Sequence, residues 1–216
     1  MNEQPKTPTK YGRKRDDILQ GALDLISQRG LEATGLKEIA AHLGITHPAL
    51  YYYFKSKDQI VFEAVRKAMN ALIAELEVSQ EGLPDNPELA LMALCEAHIQ
   101  HELEREQEVS FVNAFVYGPL KNSSSLGEAE NAEITDLQRH VLRLYRDRIV
   151  AGQKTGVFLD GDATLMAFGV LGLVSYTVSW YRRGGKLSIG ATARSMAAQA
   201  LRSVKAEFSS KNLTSK

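Results

Sequence analysis

Apolar residues recur along this chain at helical spacing. Ile18, Ala22, Leu25 and Ile26 stand at i, i+4, i+7 and i+8, which lines one face of a helix. Gly30 predicts the end of that helix, because glycine reaches a left-handed terminus without a Cβ penalty. Further helices are predicted over about 36–43 and 47–54, and from Ser56 past Leu76, where Ser56 and Gln59 form a capping box. The turn EGLPDNP at 81–87 breaks the pattern. Beyond it, helices are predicted over about 88–104, 108–116, 132–153, 163–181 and 188–208, with a loop over 118–128 and Asp162 as an N-cap. No run of alternating β-branched residues bounded by hairpin turns is present. The pattern therefore predicts an all-α chain of about nine helices.

The stretch LKEIAAHLGITHPALYYYFKSK, 36–57, carries the most information. Ile39, Ala40 and Leu43 give the first of its two short helices an apolar face. Gly44 stands where a tight turn needs positive φ, and Ile45 follows as an expected buried plug. Thr46 is placed to cap the next helix, and Pro48 falls in a first turn that loses no intrahelical bond to it. Two helices joined this way form a helix-turn-helix, whose second helix enters the major groove. At 100° per residue, Leu50, Tyr53 and Phe54 point inward on that second helix. Pro48 and Tyr52 lie opposite, flanked by His47, Ala49 and Tyr51. That outward face is uncharged, but hydroxyls and an imidazole can bond phosphates or base edges, and small apolar groups can touch a thymine methyl. Tyr53 is kept with the contact residues, although its ring lies on the inward side. A packed aromatic stripe is the alternative reading of the three tyrosines.

Charge changes the picture after that. The chain of 216 residues has 26 Lys+Arg and 26 Asp+Glu, which excludes only a uniformly basic protein. Residues 1–57 carry a net +3, 58–136 a net −12, and 137–216 a net +9. Lys6, Lys10, Arg13, Lys14 and Arg15 form a basic N-terminal arm able to track phosphates. Lys37 lies near the start of one short helix, where anions are favoured, and Lys57 lies at the start of the fourth helix, able to meet a DNA backbone. The acidic middle is expected to face away from a duplex. A single cysteine, Cys95, and an N-terminus without an apolar core fit a cytoplasmic location.

The segment GLEATGLKEIAAHLGITHPALYYYFKSKDQI, 30–60, resembles the N-terminal domain of TetR-type transcriptional regulators. The matching features are Thr34, Ile39-Ala40, Gly44-Ile45-Thr46, Leu50-Tyr51, Phe54 and Ser56-Lys57. Gly35 departs from the pattern, where the family often has Ser or Thr, so Glu38 is left to bond back to the Gly35 N–H. The resemblance implies a helix-turn-helix domain over 1–57 and a helical ligand-binding and dimerisation domain over 58–216. It implies a homodimer, a palindromic double-stranded DNA operator, and a small-molecule effector that releases a repressor. It places Thr46, His47, Pro48, Ala49, Tyr51, Tyr52 and Lys57 at positions that touch DNA. WYRRGGKLS, 180–188, is similar to the regulatory domain of a subgroup that includes regulators of fatty-acid and acyl-CoA metabolism. An acidic residue usual after that Ser is replaced by Gly190 and Ala191, which predicts a weak start to the last helix.

The remaining candidates lie in the second domain. Ala163 to Tyr181 carries no charge, but four hydroxyl residues dilute it, so it reads as a buried helix of a dimer interface formed with the last helix, not a membrane span. Phe111, Phe115, Leu142, Tyr145, Ile149 and Tyr176 are candidates to line an effector cavity, with ordinary core packing as the alternative. Arg139, Arg143 and Arg146 either pair with acidic helices or hold an anionic effector such as an acyl-CoA. His98, His101 and Glu102 stand at i, i+3 and i+4, close to metal-ligand spacing, which leaves a metal-dependent enzyme as a distant alternative. A solvated polar face explains them equally well, and neither a metal nor another cofactor is assigned. Cys95 has no activating neighbours in sequence and reads as a buried thiol. A helix-turn-helix protein that binds many sites without a ligand is the other alternative.

Overall fold

The computed structural model of the chain describes residues 9–116 and 126–206. Helices dominate: α1 (Lys10–Arg29), α2 (Leu36–His42), α3 (His47–Tyr53), α4 (Lys57–Val78), α5 (Pro87–Glu104), α6 (Glu106–Val116), α7 (Glu128–Lys154), α8 (Ala163–Ser175), α9 (Thr177–Trp180) and α10 (Ile189–Val204). Among the described residues the β structure is one isolated bridge, Phe158 to Lys205. The all-α expectation holds. The chain forms two compact units, Met1–Ala68 with Gln107–Ile134, and Met69–Glu106 with Thr135–Lys216.

In the first unit, α1 buries Ile18, Leu19, Ala22, Leu23, Leu25 and Ile26. It begins earlier than the apolar stripe does. Thr9 Oγ1 accepts from the Gly12 N–H at 3.1 Å, and the helix runs from Lys10. The basic arm expected at 10–15 is therefore helical, while Lys6 lies outside the described residues. Arg15 is not an arm residue at all. Its guanidinium pairs with Glu63 of α4 and sits over the Phe54 ring, 4.7 Å from the centroid.

Each turn of the helix-turn-helix is set by local hydrogen bonds. Gly30 and Gly44 have φ of +86° and +63°, a region other residues rarely enter. Glu38 Oε2 accepts from the Gly35 N–H at 3.0 Å. Thr46 Oγ1 accepts from the Ala49 N–H at 3.3 Å. Ser56 Oγ accepts from the Gln59 N–H at 3.0 Å, but Gln59 Oε1 reaches one residue further back, to the Lys55 N–H at 2.8 Å. Ile45, expected as a plug, is only half-buried. Leu50 and Phe54 are fully buried and anchor α3. Burial of such side chains stabilises by about 1.5–3 kcal/mol each.

In the second unit, α10 packs along α5, with α8 against both. Lys205 Nζ meets Glu88 Oε1 at 2.9 Å, which fixes the end of α10 beside the start of α5. Asn86 caps α5 by accepting from the N–H groups of Glu88 and Leu89 at 2.9 and 3.1 Å. Asp162 caps α8 as expected, accepting from Thr164 and Leu165. Ser188 Oγ accepts from the Ala191 N–H at 3.2 Å, so α10 has a side-chain cap despite its Gly and Ala. Gly152 admits the ring of Phe158, which bends back over α7.

The apolar segment differs most from expectation. Its helix loosens at Tyr176, and Thr177 Oγ1 donates to the Leu173 carbonyl at 3.1 Å, a local bond that competes with helix hydrogen bonding. Ala167, Val170 and Val174 are fully buried. The other face is open: Leu165, Phe168 and Tyr176 are 71%, 58% and 68% exposed. The window Ala163–Trp180 has a mean hydropathy of 1.5 and is long and apolar enough to cross a membrane, yet only 22% of it is buried within the chain. The last predicted helix ends at Val204, and Phe208 lies outside the described residues, as does most of the loop expected at 118–128.

A candidate nucleic-acid interface and a buried polar cluster

Helix α3 presents its aromatic residues outward because Leu50 and Phe54 hold its other side in the core. Tyr52 is 67% exposed and Tyr51 41%. Thr46 and Pro48 are exposed at the start of the helix, and His47 and Ala49 are half-buried. His47 and Tyr51 meet edge to face at 4.8 Å, which orients both rings. Thr46 accepts a cap bond with its hydroxyl oxygen, so its proton remains free to donate. Lys37 is exposed on α2. Lys57 is half-buried, and its ammonium donates to the Leu31 carbonyl at 2.9 Å. Lys55 donates to the Tyr51 carbonyl at 2.9 Å, at the end of α3. The surface is thus a set of neutral donors flanked by ammonium groups, suited to phosphate oxygens and base edges.

Tyr11 belongs to this surface and is absent from the sequence-based selection. Its ring stacks on Tyr53 at 5.0 Å and meets Tyr52 edge to face at 5.9 Å. Tyr52 and Tyr53 meet at 5.2 Å. Tyr53 is therefore a half-buried platform between Tyr11 and the helix, and Tyr11 itself is 45% exposed. The available signal was an aromatic residue inside a basic helix start. The sequence could not show that it meets residues 42 positions away.

The candidates for an effector cavity divide between the units. Phe111 and Phe115 are buried in the first, with ring centroids 6.4 Å apart. Tyr145 and Ile149 are fully buried in the second, and Leu142 is half-buried. Tyr176 stands on the surface instead, because the loosened turn carries it to the exposed side of α8. Arg139 pairs with Asp136 at 3.1 Å and Arg146 with Asp147 at 3.2 Å, and both are exposed, as is Arg143.

Two patterns that together describe most of the chain match known families. Residues 18–64 match the bacterial regulatory proteins of the tetR family, and residues 84–204 match the tetracyclin repressor-like C-terminal domain. The chain belongs to the TetR family of bacterial transcriptional regulators. Among its relatives is the HTH-type transcriptional repressor KstR2 of Mycolicibacterium smegmatis, 28% identical over 185 residues, with 85% of this chain and 87% of that protein covered. The solved structure of the TetR-family regulator PfmR from Thermus thermophilus is similar at a TM-score of 0.73 and 28% identity, covering 86% of this chain and 97% of that one. AibR, solved in complex with isovaleryl coenzyme A and operator DNA, shares the fold at a TM-score of 0.73 and 22% identity, covering 86% of this chain and 97% of that one.

TetR-family membership makes the chain a transcriptional regulator and not an enzyme. At 98–102 the side chains with metal-like spacing turn to different partners. Among the described residues, no three His, Cys, Asp or Glu side chains converge to hold a metal ion. His98 Nδ1 lies 2.9 Å from the Tyr145 hydroxyl, and its Nε2 lies 3.4 Å from Glu102 Oε1. His101 turns the other way, with Nδ1 3.0 Å from Glu75 Oε2. Nor is this the solvated polar face of the alternative reading, since His98, His101 and Glu102 are all buried. Burial lowers the His101 pKa from its ordinary 6.5, against the opposing pull of Glu75. Burial pushes the Cys95 thiol up to about 12, so it is an inert core thiol. The same cause holds the Tyr145 phenol well above its ordinary value.

Proposed function

We propose that this TetR-family chain is a ligand-responsive repressor, which binds a palindromic operator as a homodimer and is released by a small hydrophobic or acyl-CoA-like effector. The observation that carries the DNA-binding part is the aromatic face of α3, exposed at Tyr51 and Tyr52 while Leu50 and Phe54 lock the helix in place. In this reading Thr46, His47, Pro48, Ala49, Tyr51, Tyr52 and Tyr53 read or cradle the duplex, with Lys37 and Lys57 on phosphates. Residues 1–57 act as the reading head and 58–216 as the effector and dimer domain. The open face of α8 supports dimerisation through the last two long helices. Leu165 and Phe168 are exposed there, and a Cβ built at Gly169 or Gly172 meets nothing within 4 Å, so a second copy can approach closely. An effector is supported by the family and by AibR, which was solved with isovaleryl coenzyme A. A cytoplasmic location follows from a DNA-binding role.

The test is retardation of the chain's own upstream DNA at low salt. The affinity should fall steeply as salt rises, through counterion release. Tyr52→Ala should weaken DNA binding and leave the dimer intact. Failure to retard any upstream fragment at low salt would remove the proposal.

A further inference from the structure

The second unit buries a polar cluster inside an apolar core. Helix α5 carries Cys95, His98 and Glu102 at i, i+3 and i+7, and all three are buried. Helix α7 brings the fully buried Tyr145 against them. Leu94, Ile99, Leu103, Val141 and Ile149 belong to the surrounding hydrophobic core. Burial holds the Tyr145 phenol well above its ordinary pKa, and its hydroxyl lies 2.9 Å from His98 Nδ1. His98 Nε2 faces the acceptor Glu102 Oε1 at 3.4 Å, which favours the imidazole proton on Nε2 and leaves Nδ1 to accept from the Tyr145 O–H. The contacts run from phenol to imidazole to carboxylate, and there they stop. Glu102 Oε2 is shielded from solvent and has no hydrogen-bond partner among the described residues, in a residue only 4% exposed. Arg105, just past the end of α5, pairs with Glu75 at 2.8 Å.

A bare buried carboxylate oxygen is unfavourable, and an apolar residue of the same size would serve the core at least as well. The fold therefore does not explain it, whereas a ligand donor would. We propose that Glu102 Oε2 anchors a hydrogen-bond donor, a hydroxyl or an amino group, on an otherwise apolar effector. This rests on the ligand-responsive reading above and adds the chemistry of the effector. His98 and Tyr145 act as positioning residues that fix the Glu102 carboxylate. The apolar side chains around the cluster would receive the hydrocarbon part, and an effector without a donor would leave the oxygen bare.

Isomeric probes test this on the full-length protein. 1-Octanol and heptyl methyl ether have the same formula, as do cyclohexylmethanol and methoxycyclohexane, but only the alcohols donate. Octylamine distinguishes a cationic donor from a hydroxyl. Dissociation constants are taken from ligand-detected NMR and checked by the rise in thermal midpoint. Wild type should bind each alcohol, or octylamine, about tenfold or more tightly than the matching ether. Glu102→Met keeps the volume, removes the acceptor and should abolish the preference. Glu102→Leu is made in parallel, so the readout does not depend on one variant folding. Equal binding of the isomers, no binding by any probe, or a preference that survives in the Glu102 variants would each overturn the proposal. DNA retardation by the same preparation is measured alongside. A protein that retards DNA without a donor preference loses only this inference, and one that shows the preference without retarding DNA loses the repressor reading.

Discussion

Lys57 has two possible jobs, and one substitution separates them. In the free protein its ammonium donates to the Leu31 carbonyl at 2.9 Å, bracing the turn after α1. Bound to DNA, the same group would meet a phosphate. Lys57→Met keeps the stem and removes both interactions. The bond to Leu31 involves a charged donor but is half-exposed, so its loss should cost about 1 kcal/mol of stability. Loss of one phosphate contact should reduce the slope of log K against log salt by about 0.9. Over a fourfold rise in salt, from about 50 to 200 mM, that removes about a 3.5-fold part of the affinity change. Lys37→Met is the control, because Lys37 is exposed. It should change the slope equally and stability by less than about 0.5 kcal/mol. Fluorescence anisotropy on a labelled upstream duplex gives the slope, and urea unfolding at fixed protein concentration gives the stability. A Lys57→Met protein that is destabilised but keeps the wild-type slope would show that Lys57 only braces the turn, and its assignment to DNA would fall.

Three further outcomes follow from particular contacts. Gly152→Ala should destabilise by up to about 2 kcal/mol although alanine favours helix by about 1 kcal/mol, because overpacking costs about 1–3 kcal/mol. A Cβ there would stand 1.9 Å from Phe158 Cδ2, and Phe158→Leu in the same chain should recover part of the loss, so a Gly152→Ala protein with a higher thermal midpoint than wild type would contradict this. His101 has its folded pKa below the unfolded value, so the unfolded chain takes up this proton first; its stability contribution is complete above about pH 6.5 and declines as pH falls through the folded pKa. Urea midpoints on acidification should therefore fall more gently for His101→Gln than for wild type, and parallel curves would count against it. Phe168→Glu, on the exposed side of α8, should yield monomers in sedimentation velocity with unchanged helicity, and a variant that stays dimeric would exclude that face.

The helix-turn-helix was legible because its signals are short-range. The caps at Thr46 and Ser56, the back bond from Glu38 and the positive φ at Gly44 each act within three or four residues. The same reach explains why Asp162 could be named as the α8 cap. What escaped was long-range or cooperative. Nothing in Lys10–Arg15 by itself says helix instead of arm; Arg15 is held by Glu63, 48 residues away. Tyr11 reaches the α3 surface only by packing against Tyr52 and Tyr53. Tyr176 has the composition of a cavity residue and the position of a surface one, because the helix loosens there.

The sequence by itself determined the helical class, the caps at Thr46, Ser56 and Asp162, the outward face of α3 and the family, since periodicity and capping are properties of neighbouring residues. Where the pattern is apolar on every side, tertiary structure alone decided which positions are interior. Helix α8 is apolar all round, and only packing shows that one side is covered by α5 and α10 and the other left open. Tertiary structure also set His98 between Tyr145, 47 residues away, and Glu102, whose buried Oε2 has no hydrogen-bond partner among the described residues.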